Sequence, residues 1–260
     1  MRVAVCISGQ MRSLERAYPS ILSNIIQPNA ADVFLHSWYD DAHLVMESMC
    51  PRPNLTLPPD LPRKAVELYQ PKRHAFERPR RFDNKAHLRV PPSWCTDYAP
   101  HLPPEYTDAD RARHIVRQAY SMFYSIHACN QLREDYAEEH GITYDVVVRL
   151  RFDLTFHAPV RFADYDLTYL WCHELNQPDG IVSDWFQFGS PRVMNVAAST
   201  YLALEALNSF DYLKAADRQP LTWRASPHCF WGNEHMIRDV IAAYHIPFRK
   251  ANFGVALLSH

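Results

Sequence analysis

The sequence has no excess of charge of one sign. Its 27 lysines and arginines stand against 29 aspartates and glutamates, a formal net charge of −2. No broad field of either sign recruits nucleic acid or an anionic membrane, so neither is expected as a partner. The six cysteines (Cys6, Cys50, Cys95, Cys129, Cys172, Cys229) include no C-x-x-C pair. Nothing in their placement resembles a zinc-ligand spacing. No apolar run approaches the roughly 20 residues of a membrane span. The N-terminus runs straight into strand-like sequence, "MRVAVCIS", without the basic stretch and long apolar core of a secretory signal. A soluble, reduced, cytoplasmic protein is the expectation, and the sequon-like "NLT" at Asn54 then carries no sugar. Internal repeats and low-complexity tracts are missing, and so are G-K-[ST] and G-x-G-x-x-G, the two common nucleotide loops.

What is present is the alternation of an α/β domain. A chain of 260 residues, 47% hydrophobic and 22% charged, is long enough to bury a core without staples. "RVAVCIS" (2–8) is apolar on both faces, as a central parallel strand is. In "SLERAYPSILSNII", Leu14, Tyr18, Ile21, Leu22 and Ile25 recur at helical spacing behind Ser13, a possible cap. "ADVFLHSW" (31–38) reads as a second buried strand, completing a β–α–β opening. The alternation then stops. Twelve of the 20 prolines fall between Cys50 and Pro104, with a weak helix "PRKAVELYQ" and a short strand "RHAFE" inside. An insertion of this kind is either a functional lid or an irregular excursion. Its aromatics Phe76, Phe82, Trp94 and Tyr98 suggest that it packs on something. A long helix is predicted from a Thr107 cap to about Glu139, ended by Gly141. Beyond it come strands at "YDVVVRLRFDLTF", "LTYLW" and "SDWFQFGS", and helices over "PRVMNVAASTYLALEAL" and "NEHMIRDVIAAYH".

The charges in "YDVVVRLRFDLTF" (144–156) carry the functional question. An apolar strand body ends in Arg149, Arg151 and Asp153, which period-2 geometry puts on one face. Ligands of open α/β sheets bind beyond the carboxyl ends of the strands. Two guanidiniums beside a carboxylate suit a phosphate and its metal: arginines clamp the oxygens, and Asp153 is a hard ligand for Mg²⁺ or Mn²⁺. A structural salt-bridge ladder is the plainer alternative. In "CISGQMRS", Ser8, Gly9, Gln10 and Arg12 occupy the turn into the first helix, where glycine permits close approach and a helix start favours an anion. His36, at the polar end of the second strand, joins the nucleotide-binding candidates, against the reading of a packed histidine.

Taken in order, these pieces resemble a family. "VAVCISGQMRS", a helix and "DVFLHSW" are similar to the amino-terminal pattern of a group of GT-A-type glycosyltransferases, found in capsular-polysaccharide loci and in large DNA viruses. "QAYSMFYSIHACNQL" followed by "YDVVVRLRFDLTF" resembles that group's central signature, with an arginine–arginine–aspartate strand in place of Asp-x-Asp. "SDWFQFGS" and "NEHMIRDVI" resemble its later strand and acidic helix. The resemblance implies a GT-A-like α/β fold, a mainly parallel sheet flanked by helices. Residues 1–49 and 105–156 would bind the nucleotide-sugar, 50–104 would form the proline-rich insertion, and 157–260 the acceptor side. It implies transfer of a sugar from a nucleoside diphosphate to a hydroxyl of a glycan acceptor. Ser8, Gly9, Gln10 and Arg12 would contact the nucleotide, and Asp153 would bind a divalent metal. Arg151 stands where the first Asp of Asp-x-Asp is found, and an arginine neutralises a diphosphate without a metal.

An inverting transferase also needs a general base for the attacking hydroxyl. Asp184, which opens an aromatic strand beside Trp185, is favoured over Glu234, which has a ready alternative as a helix-start carboxylate. Two other readings stay open: a nucleotidyl- or sulfo-group transferase using the same turn, and a non-catalytic carbohydrate-binding scaffold on a transferase fold.

Overall fold

The computed structural model describes residues 1–42, 45–46, 55–80, 82, 107–174, 181–207 and 233–258. Its centre is a seven-stranded sheet. In chain order the elements begin with β1 (Val3–Ser8), α1 (Leu14–Ile21) and β2 (Asp32–Trp38). Next come a short hairpin, β3 (Val45–Met46) and β4 (Leu55–Thr56), then α2 (Leu61–Tyr69), β5 (Arg73–Glu77) and the long α3 (Asp108–Glu139). The second half holds β6 (Val146–Leu150), β7 (Leu154–Phe156), β8 (Leu170–His173) and β9 (Phe186–Gly189). It ends with α4 (Pro191–Ala198), α5 (Thr200–Leu207), α6 (Asn233–Ala243), β10 (Phe248–Ala251) and β11 (Val255–Leu257).

The sheet order is β10-β8-β9-β6-β1-β2-β5. All neighbours are parallel except at β9, which runs against both β6 and β8. Strand β1 is buried along its whole length because helices cover both faces. Val3, Val5 and Ile7 point into one core, with Leu14 and Ile21 of α1 and Ala65 of α2. Ala4 and Cys6 point into the other, with Phe123 and Cys129 of α3 and Val193 of α4. Chain order runs outward from β1 to β2 and β5, then returns across the opposite face through α3 to β6. The crevice between β1 and β6 is therefore the topological switch point, where open α/β sheets bind ligands.

The proline-rich stretch differs from the expectation. The alternation does not stop at Cys50: α2 and β5 continue it, and β5 pairs in parallel with β2 as the sheet's edge. Pro62 causes no break because it lies in the first turn of α2, where no intrahelical partner for its missing N–H is needed. Phe82 is buried against Tyr120 of α3, 5.6 Å between ring centroids. Trp94 and Tyr98, and with them most of the predicted lid, lie outside the described residues. Helix α1 carries Pro19 inside it and gives way to a wide turn over Leu22–Ile26, as the loss of an i→i−4 bond favours. Ser13 occupies its N-cap position but makes no side-chain capping bond.

Three other expectations are corrected. The stretch 144–156 is two strands, not one. β6 ends at Leu150, residues 151–153 turn, and β7 pairs with β11 in a separate antiparallel ribbon. The helix over 191–207 breaks at Ser199, where the Ser199 and Thr200 hydroxyls donate back to the carbonyls of Val196 and Ala197. The strand expected at "LTYLW" begins later, at Leu170, and β10 and β11 were not anticipated. The long helix runs as the cap and stop signals predict, with Gly141 at φ 61° just beyond it.

Candidate functional site

Strand geometry brings the candidate residues to one mouth. Ser8 shares its face with Cys6 and so points toward α3, as does Arg149, which lies opposite Cys6 across the β1–β6 pairing. Because β9 is antiparallel to β6, its beginning lies beside the end of β6, with Phe186 opposite Leu150. Asp184, two residues earlier, is thereby carried to the same end of the sheet.

Arg149 dominates this site electrostatically. Its side chain is buried, the residue being 3% exposed, and both Nε and Nη1 are sealed from solvent without a hydrogen-bond acceptor. Burial pushes the guanidinium down to about 10; the Asp184 carboxylate opposes that, Arg151 adds to it, and Asp153 opposes it. The group is still a cation at neutral pH. A buried donor left unmade costs about 1–3 kcal/mol, so two such N–H groups on one buried cation are expensive unless an anion completes them. Ser8 Oγ and Gln10 Oε1 are likewise buried without partners. Gly9 between them has φ 117°, and a Cβ there would meet nothing within 4 Å. The glycine answers the backbone conformation, since the space around it is open.

Asp153 is 2% exposed, and both its oxygens are taken by the Arg151 guanidinium, Nε to Oδ1 at 2.8 Å and Nη2 to Oδ2 at 2.7 Å. The carboxylate expected to bind a metal is thus paired with Arg151 in this arrangement. Each carboxylate oxygen accepts one N–H of Arg151, and the described residues contain no group of three His, Cys, Asp or Glu side chains able to hold a metal ion. Arg149 and Arg151 are also separated in role: the strand ends between them, so Arg149 faces α3 while Arg151 closes on Asp153 in the turn.

His36, expected at the nucleotide, lies inside the fold. It is fully buried and touches no open space: Nδ1 lies 2.8 Å from Ser125 Oγ on α3 and Nε2 lies 3.2 Å from Glu77 Oε1 at the end of β5. Its partners, Ser125 and Glu77, occupy both ring nitrogens. Of the two base candidates, Asp184 is 6% exposed and acts on Arg149. Glu234 stands in the first turn of α6, which packs through Ile237 and Ile241 into the α3 core.

Sequence reasoning missed Ser125 and Glu77. A serine four residues before Cys129, on the helix's buried stripe, was the one signal for the first. Glu77 ends a strand that was read as part of an insertion. No protein-family model matches the chain, and no curated protein shows significant similarity to it. Among the described residues no helix is long and apolar enough to cross a membrane.

Proposed function

We propose that the protein is a glycosyltransferase that takes a sugar from a nucleoside diphosphate sugar and transfers it to a hydroxyl of a glycan acceptor. The observation that carries this reading is the buried Arg149 guanidinium at the switch point, with donors unmade and an unpartnered Ser8 hydroxyl on the same face. A diphosphate is the dianionic group that such a pocket accepts. The mainly parallel sheet with one reversed strand is compatible with a GT-A-like nucleotide-binding fold.

In transfer, the bond between the sugar's anomeric carbon and the diphosphate oxygen breaks, and the electron pair leaves with the diphosphate. Arg149 stabilises that charge as it develops. Asp184, opposing Arg149 and kept among buried groups, takes the proton of the attacking hydroxyl if the reaction inverts. Guanidinium groups supply charge neutralisation at the diphosphate, and Asp153, paired with Arg151, is the carboxylate that would meet a divalent cation.

Titration with UDP-, GDP-, dTDP- and CMP-sugars, each with and without Mn²⁺, followed by thermal shift, tests the reading. A nucleotide-dependent rise in melting temperature that does not need Mn²⁺ is the expected result. Stabilisation by free sugars alone would turn the reading to a carbohydrate-binding scaffold, and no response to any of them would remove it.

A further inference from the structure

The polar groups between β1 and α3 are ordered in a way that transfer chemistry does not use. The Gly9 N–H donates to Ser125 Oγ at 3.1 Å and to the His36 carbonyl oxygen at 3.2 Å. Beyond His36, Glu77 accepts from the Tyr124 hydroxyl at 3.0 and 3.1 Å and from Arg80 at 2.7 Å. Ser125, His36 and Glu77 have the composition of a nucleophilic triad, but Ser125 is 1% exposed and its oxygen already accepts the Gly9 amide. No substrate carbonyl reaches it, so a hydrolase reading fails on access.

We propose that Ser125, His36 and Glu77 form a hydrogen-bonded brace that fixes the β1–α1 turn in its anion-binding conformation, with Ser125 and His36 as positioning residues. The anion role rests on the transferase reading; the brace itself does not. Proton placement follows from the partners. Glu77 is held below the usual carboxylate range by its hydrogen bonds from Arg80, His36 and Tyr124, which outweigh the opposing effect of burial. As a carboxylate it only accepts, so His36 carries its proton on Nε2 and Nδ1 accepts from the Ser125 hydroxyl. Ser125 Oγ is then free to accept the Gly9 N–H. A second proton on His36 would make Nδ1 a donor and turn the serine hydroxyl away from its only described acceptor. Burial disfavours that state and lowers the His36 pKa; the hydrogen bond and charge of Glu77 oppose the shift, and Arg80 adds to it. Facing the ring are Glu77, Arg80 and Tyr124, while the Cys129 thiol meets the backbone of His36 and not its ring.

The test compares wild type with Ser125→Ala, Ser125→Thr and His36→Asn, each checked for folding by melting temperature. Two quantities are measured: amide exchange at Gly9, and affinity for inorganic pyrophosphate between pH 5 and 8. Ser125→Ala should speed Gly9 exchange at least tenfold and weaken pyrophosphate about tenfold, the loss of one buried hydrogen bond. Ser125→Thr, which keeps the hydroxyl, and His36→Asn, whose amide sits where Nδ1 does, should recover most of both. Wild-type affinity should fall only where His36 takes its second proton, below the ordinary histidine range because burial lowers its pKa, and Ser125→Ala should flatten that profile. Unchanged Gly9 exchange in folded Ser125→Ala overturns the brace. Failure of pyrophosphate to bind the wild type removes the transferase reading instead, while the exchange result still decides the brace.

Discussion

The two sides of the β1–β6 crevice treat buried polar groups in opposite ways. On the β2–β5 side, His36, Ser125, Glu77, Tyr124 and Arg80 satisfy one another through bonds of 2.7 to 3.2 Å. On the β6–β9 side, Arg149 is as deeply buried, yet Nε and Nη1 have no acceptor. A closed network of this kind rigidifies a fold; an open one at a strand's carboxyl end is a place for a ligand. The difference separates scaffold from site more sharply than residue type does, since both sides hold an arginine near a carboxylate.

The comparison is sharpened first at Asp184, where the largest effect is expected. Asp184→Asn should lower kcat by about 10²–10⁴-fold with donor binding retained, as loss of a general base does. Glu234→Gln should cost less. The reverse ranking in steady-state kinetics would move the base to α6, and retention of anomeric configuration in the product would remove the premise for both.

Next is a matched pair across the crevice. Arg149→Met should weaken pyrophosphate binding by about 10- to 150-fold, the worth of a charge-assisted bond of roughly 1.5–3 kcal/mol. His36→Leu should instead lower unfolding free energy by roughly 1–3 kcal/mol, because it strands the Ser125 hydroxyl and one side of Glu77. Calorimetry and urea unfolding on both variants decide this. If Arg149→Met destabilises more than His36→Leu, the open side is scaffold too.

Acid should act through buried histidines on both sides of the crevice. Burial lowers His36, His127 and His173, and lowers His235 to about 4 with help from Arg238. Each binds its proton more readily unfolded than folded, so stability is full above the unfolded value of 6.5 and falls as pH drops toward the folded value. His235 alone should cost about 2 kcal/mol between pH 7.5 and 5. Glu77, also lowered, extends the loss below pH 4.5. A urea midpoint flat from pH 7.5 to 5 would contradict this.

The smallest effect is expected at Arg151. Its fork onto Asp153 is a closed pair on the open side. Arg151→Ala should weaken pyrophosphate only a few-fold and raise the response to Mn²⁺ above that of wild type, because Asp153 loses its guanidinium partner. Equal Mn²⁺ response in both proteins would show that the fork does not block a cation.

The sequence by itself determined the strands β1, β2 and β6, the long helix α3 from Asp108 to Glu139 and the gathering of Ser8, Gly9 and Arg149 at strand ends. Continuous apolar runs, a cap and stop at the two ends of α3, and polar residues appearing where a strand body finishes are local signals, and period-2 and 3.6-residue geometry reads them directly. Other features were decided only in three dimensions. "RLRFD" looks like a continued strand, but pairing of β7 with β11 takes the chain out of the sheet after Leu150. That turn gives Asp153 to Arg151 and leaves Arg149 facing α3 with Nε and Nη1 without an acceptor. "RHAFE" became a sheet edge because β2 offered it an open parallel partner, and His36 became a brace because Ser125, 89 residues away, came to face it. Which charge is paired and which is left open depends on contacts between residues far apart in the chain, and no local pattern encodes those.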